Sequence, residues 1–137
     1  MTFVDTNIII DILTRDSCWF DWSVTKLSLA ATDGGAMTSV VVAAELARDY
    51  ESSDDLTAKL SAMSVEVLPL QLDAAFRAGK SFGAYRAAGN REERRVLPDF
   101  FIGAHALSLA VPLLTRDPRL YKTYFPDLTL ITPETHP

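Results

Sequence analysis

Short apolar segments of β-forming residues alternate with helical segments along this chain, and that alternation limits its fold more than any other feature. Phe3-Val4, Ala36-Met37-Thr38, Val65 to Leu70, Val111 to Thr115 and Leu128 to Ile131 read as strands. The spacing predicts a helix opening at Ile8 with Asn7 as its cap, and another over Trp19 to Ala31. Ser39 caps a helix running to about Tyr50, and Ser52-Ser53-Asp54-Asp55 begins one that continues through Met63. A long helix over Leu72 to Ala88 is ended by Gly89-Asn90. Asp99 starts a nearly all-apolar, buried helix through Ala110, and Pro118 to Tyr124 forms a short helical turn. Strands separated by helices give an α/β fold with a mainly parallel sheet and right-handed crossovers. With 137 residues, 48% of them hydrophobic, the chain reads as one domain, 1–137, with a sizeable core.

Four carboxylates are placed where such a sheet would bring them together. Asp5 ends the first strand, Glu45 lies in Ala44-Glu45-Leu46, Asp99 follows Leu97-Pro98, and Asp117 follows the strand Leu113 to Thr115. Functional groups in open parallel sheets gather beyond the carboxyl ends of the strands. Three of these acids are embedded in apolar sequence, where an unpaired charge is costly, so a cation between them is the economical solution. Oxygen ligands alone suit a hard ion, Mg²⁺ or Mn²⁺, rather than zinc or copper.

Each acid also has a plainer reading. Asp99 after Pro98 could be an N-cap, Asp117 before Pro118 a turn residue, and Glu45 part of a solvated face. Asp5 is the exception, because an acid closing a buried strand has no evident structural duty. Asp11, between apolar residues, reads as an exposed helix position, His105 as a satisfied core histidine, and His136 as part of a frayed tail. Trp19, Phe20 and Trp22 either pack in the core or offer a partner surface.

Charge narrows the function classes. The formal net charge of −5 argues against indiscriminate nucleic-acid binding. Residues 77–95 are the exception, with Arg77, Lys80, Arg86, Arg91, Arg94 and Arg95 against Glu92 and Glu93, a local +4 that leaves −9 for the rest. Arg86, Arg91, Arg94 and Arg95 border the segment carrying Asp99 and could hold phosphate, or could be a solvated face. Arg116 and Arg119 flank Asp117 and could touch phosphate or pair with nearby acids. The single cysteine, Cys18, permits no internal disulfide and suits a reducing, cytoplasmic setting. No signal peptide is expected, and the apolar stretch from Val96 to Leu114 contains Pro98, Asp99 and Pro112, which argue against a membrane span.

At these residues the chain resembles a PIN domain, in particular the VapC-type toxins of type II toxin–antitoxin pairs. The resemblance rests on Val4-Asp5-Thr6-Asn7, Ala44-Glu45-Leu46, Leu97-Pro98-Asp99-Phe100-Phe101-Ile102-Gly103-Ala104-His105-Ala106 and Leu113-Leu114-Thr115-Arg116-Asp117, in that order. It implies a three-layer α/β/α PIN-like fold and a metal-dependent endoribonuclease using Mg²⁺ or Mn²⁺. Asp5, Glu45, Asp99 and Asp117 would form the acidic cluster, with Thr6, Asn7 and Thr115 as supporting polar residues. A homodimer, and a small antitoxin whose tail occupies the active-site groove, are further expectations of the resemblance. The alternatives are a PIN-like nuclease acting on DNA or in RNA maturation, and a non-catalytic interaction module. A haloacid-dehalogenase-like phosphatase would want an aspartate where Asn7 stands, and a receiver domain a lysine where Arg116 stands.

Overall fold

The computed structural model describes residues 1–90 and 93–137, and of residues 93–95 the backbone alone. Five strands are assigned: β1 (Thr2–Val4), β2 (Ala36–Ser39), β3 (Val65–Leu68), β4 (Leu113–Leu114) and β5 (Leu130–Ile131). They form one sheet in the order β3-β2-β1-β4-β5, with every neighbouring pair parallel. The helices that flank it are α1 (Thr6–Leu13), α2 (Phe20–Thr32), α3 (Val40–Leu46), α4 (Ser53–Ala62), α5 (Leu72–Ala87), α6 (Glu93–Ser108) and α7 (Arg119–Tyr124). The parallel α/β architecture read from the alternation is the one observed.

Strand β1 occupies the middle of the sheet, and the chain order reverses there. Phe3 and Val4 are wholly buried, as a strand covered on both faces requires. Its register sets Phe3 opposite Met37 and Leu113, and Val4 opposite Leu114. Asp5, the next residue, is bonded through its backbone N–H to Leu114 O at 3.0 Å. It therefore stands at the switch point where open α/β sheets present their crevice. The buried Thr38 hydroxyl donates to Val4 O at 2.7 Å and fixes β2 beside this end of β1.

Several local expectations are corrected. Helix α1 opens at Thr6, not Ile8, and its cap is Asp5, whose Oδ1 accepts from Thr6 N at 2.7 Å. The acid at the strand end thus has a structural duty after all: the strand passes directly into the helix, and an extended Asp serves both. Helix α6 begins at Glu93, so Asp99 lies in its second turn rather than at its start. Pro98 sits inside that helix; it removes one N–H, whose partner carbonyl lies in the opening turn, where the ladder is least constrained. Strands β3, β4 and β5 are shorter than the apolar runs that suggested them. The tail is docked: His136 N donates to Thr132 O at 2.8 Å, and Trp22 Nε1 donates to His136 O at 2.9 Å.

An aromatic cluster fixes α6. Phe100 is wholly buried, with ring centroids of Phe82, Tyr85, Tyr124 and Phe125 at 5.4, 5.4, 5.3 and 6.1 Å. Such pairs add about 0.5–1.5 kcal/mol each beyond burial. They lock the rotation of α6 one residue after Asp99, and so set the edge on which Asp99 emerges. Among the described residues no helix is long and apolar enough to cross a membrane.

Candidate active site

Asp5 is 3% exposed and carries four hydrogen bonds. Thr6 N donates to its Oδ1, while Oδ2 receives Asn7 Nδ2 at 3.2 Å, Thr115 Oγ1 at 2.8 Å and Tyr121 Oη at 3.0 Å. Asn7 is itself oriented, since its Oδ1 accepts from Arg116 N at 3.3 Å and its Nδ2 also reaches Thr115 Oγ1 at 3.1 Å. Thr115 accepts in turn from Asp117 N at 3.2 Å. Burial raises the Asp5 carboxyl from the usual 3.8 to about 6, with repulsion from Glu45 adding to it, although the bonds from Thr115, Tyr121 and Thr6 pull it down.

The other three acids sit around it on different elements. Glu45, near the end of α3, is exposed as a residue, but its Oε1 accepts from the buried Thr6 hydroxyl at 2.6 Å. Burial of the carboxyl raises its pKa, and the Thr6 bond opposes the rise. Asp99 is half-buried; burial first, then repulsion by Asp5, Glu45 and Asp117, raises it to about 7. Asp117 is exposed and its pKa is lowered, chiefly by the Arg119 guanidinium, which donates Nε and Nη2 to its two oxygens at 2.9 Å each. Asp99 is therefore within electrostatic reach of the other three acids, which come from the end of β1, from α3 and from the loop after β4.

The set of donors fits a hard divalent cation in its chemistry. All are oxygens, and Asp5 and Asp99 hold raised pKa values, first because burial disfavours their charged forms and then because other acids lie near them. Among the described residues, no three His, Cys, Asp or Glu side chains close into a ready-made metal cage.

Two polar groups here escaped the sequence reading. Tyr121, buried in α7, belongs to the Asp5 shell, and only its place four residues after Asp117 hinted at it. Asp11, expected on the surface, is 1% exposed. Its Oδ1 and Oδ2 accept from Arg116 Nε at 3.0 and 2.9 Å, and Oδ2 also accepts from Ser23 Oγ at 2.9 Å. A buried charge survives there because Arg116 and Ser23 compensate it. Of the two roles open to Arg116, pairing with an acid is thus realised at Nε. His105 is a core residue, 2% exposed and 3.1 Å from Ser39 Oγ, with burial lowering its pKa.

Arg77, Lys80 and Arg86 are exposed on α5. Arg91 and Glu92 lie outside the described residues, as do the side chains of Glu93, Arg94 and Arg95.

Comparison with known proteins adds the following. A family model described as PIN domain matches residues 2–126. No curated protein sequence matches the chain. Among solved structures, VapBC2 from Rickettsia felis, bound to a DNA fragment from its promoter, superposes with a TM-score of 0.71 at 20% identity, over 96% of this chain and 97% of that one. FitAcB from Neisseria gonorrhoeae gives 0.68 at 19% identity, over 98% and 99%. A toxin–antitoxin complex from Klebsiella pneumoniae gives 0.58 at 23% identity, over 88% and 90%.

Proposed function

Because this chain belongs to the PIN-domain family, we propose that residues 1–137 act as one domain, a divalent-metal-dependent endoribonuclease that is the toxin of a type II toxin–antitoxin pair. The observation that carries the reading is the buried Asp5 carboxylate at the switch point of the sheet, held by donors on both oxygens and joined to Glu45 through Thr6, whose hydroxyl donates to Glu45 Oε1. Asp5, Glu45, Asp99 and Asp117 are the proposed metal-holding and catalytic residues, with Thr6, Asn7 and Thr115 supporting them.

When bound, Mg²⁺ or Mn²⁺ held chiefly by Asp5 and Asp99 supplies positive charge for the scissile phosphate and a more acidic water. The chain's own residues provide the order. Asp5 is fixed by donors on both oxygens, so it presents its charge without rearrangement. Glu45 is anchored through Oε1 and keeps Oε2 without a protein partner among the described residues, where it can orient the attacking water and take its proton. The products are a 5′-phosphate and a 3′-hydroxyl.

Arg86, Arg91, Arg94 and Arg95 are proposed to grip the RNA backbone as it approaches Asp99. The antitoxin partner is supported by the complexes among the structural neighbours. A homodimer has a candidate face in the exposed Leu72 and Phe76 of α5. The cytoplasm, where RNA and a reduced Cys18 coexist, is the proposed setting.

The deciding experiment incubates total RNA with wild type and Asp5→Asn, each with Mg²⁺, Mn²⁺ or EDTA. Asn also caps helices well, so the variant keeps its fold. Discrete fragments that require both metal and Asp5 are expected. Metal-dependent cleavage retained by folded Asp5→Asn would sink the assignment, and no cleavage by the wild type would redirect it to DNA or to binding alone.

A further inference from the structure

An acidic site that handles a polyanion needs a positive group to receive phosphate close by. Two guanidinium groups stand next to the acids on the loop after β4. Arg119 commits Nε and Nη2 to Asp117 and is 88% exposed. Arg116 differs, because it shares a single N–H, that of Nε, between the two oxygens of buried Asp11. Its Nη1 and Nη2 are left without a partner among the described residues, and its side chain is 32% exposed. Its charge also reaches Asp117 and Asp16, so the group lies beside the acid cluster rather than remote from it.

Stability alone does not explain this arrangement. A buried ion pair is commonly matched or bettered by apolar residues of the same volume. Direction is what the pair adds. Asp11 is held by Ser23 Oγ on α2 and by its own place in α1, and Arg116 N is bonded to Asn7 Oδ1. The guanidinium is thus tethered at both its backbone and its Nε, with little rotamer freedom left to lose on binding. A planar, permanently charged fork held at one end is suited to an oxygen pair of a phosphodiester.

We propose that Asp11 is a positioning residue that aims Arg116, and that the free terminal amino groups of Arg116 bind a backbone phosphate of the RNA beside the acid cluster. This rests on the nuclease reading above and extends it to a specific substrate contact.

The test measures binding without cleavage: fluorescence anisotropy of the full chain with a labelled single-stranded RNA in EDTA, over a series of salt concentrations. Thermal melts accompany it to verify folding. Arg116→Met is expected to weaken binding about tenfold and lower the salt slope by about one. Arg116→Lys, keeping the charge but not the fork, falls between. Asp11→Asn is diagnostic, because removing a negative charge should by itself tighten RNA binding. It is expected to loosen it instead, since Arg116 is no longer aimed. Binding by Asp11→Asn that equals or exceeds wild type, or an unchanged slope in folded Arg116→Met, overturns the proposal and leaves the nuclease reading standing. Should Asp11→Asn not fold, the two Arg116 variants decide. A wild type that binds no RNA removes both.

Discussion

The hydroxyl of Tyr121 donates to Oδ2 of Asp5 at 3.0 Å, joining two residues 116 positions apart in a fully buried contact. The Tyr121 hydroxyl has no other hydrogen bond among the described residues, and its pKa is driven well above the ordinary value by burial and by Asp5. Tyr121→Phe keeps the ring and removes only this donor. The expected cost is about 1–2 kcal/mol at pH 8, where Asp5 is ionised, and less at pH 5, where it is largely protonated. Chemical denaturation at the two pH values checks it, and an equal cost at both would contradict the ionic character of the bond.

The raised carboxyls of Asp5 and Asp99, about 6 and about 7 against 3.8, make stability depend on pH in a defined direction. Between pH 3.8 and 7 the folded chain holds protons that the unfolded chain has released. Their contribution is complete below the unfolded value and is lost as pH rises through 6 and 7. Asp99→Asn removes the steeper part. It should stabilise the metal-free protein by about 2 kcal/mol at pH 8 and hardly at all at pH 4. A difference between wild type and variant that stays flat from pH 4 to 8 would contradict the shift.

Divalent metal should act on the same charge. In wild type, Mn²⁺ at millimolar concentration is expected to raise Tm more at pH 8 than at pH 5, because protons and metal compete for Asp5 and Asp99. Asp99→Asn should lose most of that rise. Equal Tm shifts in the variant and wild type would place the bound ion elsewhere.

Gly103 is a packing requirement. A Cβ there would lie 2.8 Å from Phe125 Cδ2 and Cε2 and 3.0 Å from Tyr121 Cδ1, and both rings are buried. Gly103→Ala should cost about 1–3 kcal/mol and, by displacing Tyr121, reduce cleavage as well. Gly79 is the opposite case. It lies in α5 with nothing within 4 Å of a Cβ, so Gly79→Ala should stabilise by about 0.5–1 kcal/mol with an unchanged denaturant m-value.

Much of this molecule is readable in its residues, and most of what escapes depends on partners distant in the chain. The alternation of apolar runs and helices gave the parallel sheet, and the Ser39 and Ser52 caps were placed correctly because capping is local. Asp5 and Asp117 are legible because each follows a recognisable strand, and Glu45 and Asp99 because each is an acid among apolar residues. Asp11 was misjudged because its compensating partner, Arg116, lies 105 residues away, and nothing near it in sequence reveals that. Tyr121 was overlooked for the same reason. Asp5 was credited with no structural role because strand and helix meet there without a linker. Pro98 suggested a helix start, whereas the packing of Phe100 against its aromatic neighbours holds a longer helix together through it.

The strand order has a consequence in time. The central strand is made first, yet its neighbour β4 and the donors Thr115 and Tyr121 are made more than a hundred residues later. During synthesis Asp5 leaves the ribosome before either neighbour of its strand, and β4 and two of its hydrogen-bond partners are the last to follow. A chain growing from its N-terminus cannot complete this pocket until residues 115 to 121 have emerged. The hydrogen-bonded surroundings of Asp5 are therefore assembled only once β4 and α7 have been made.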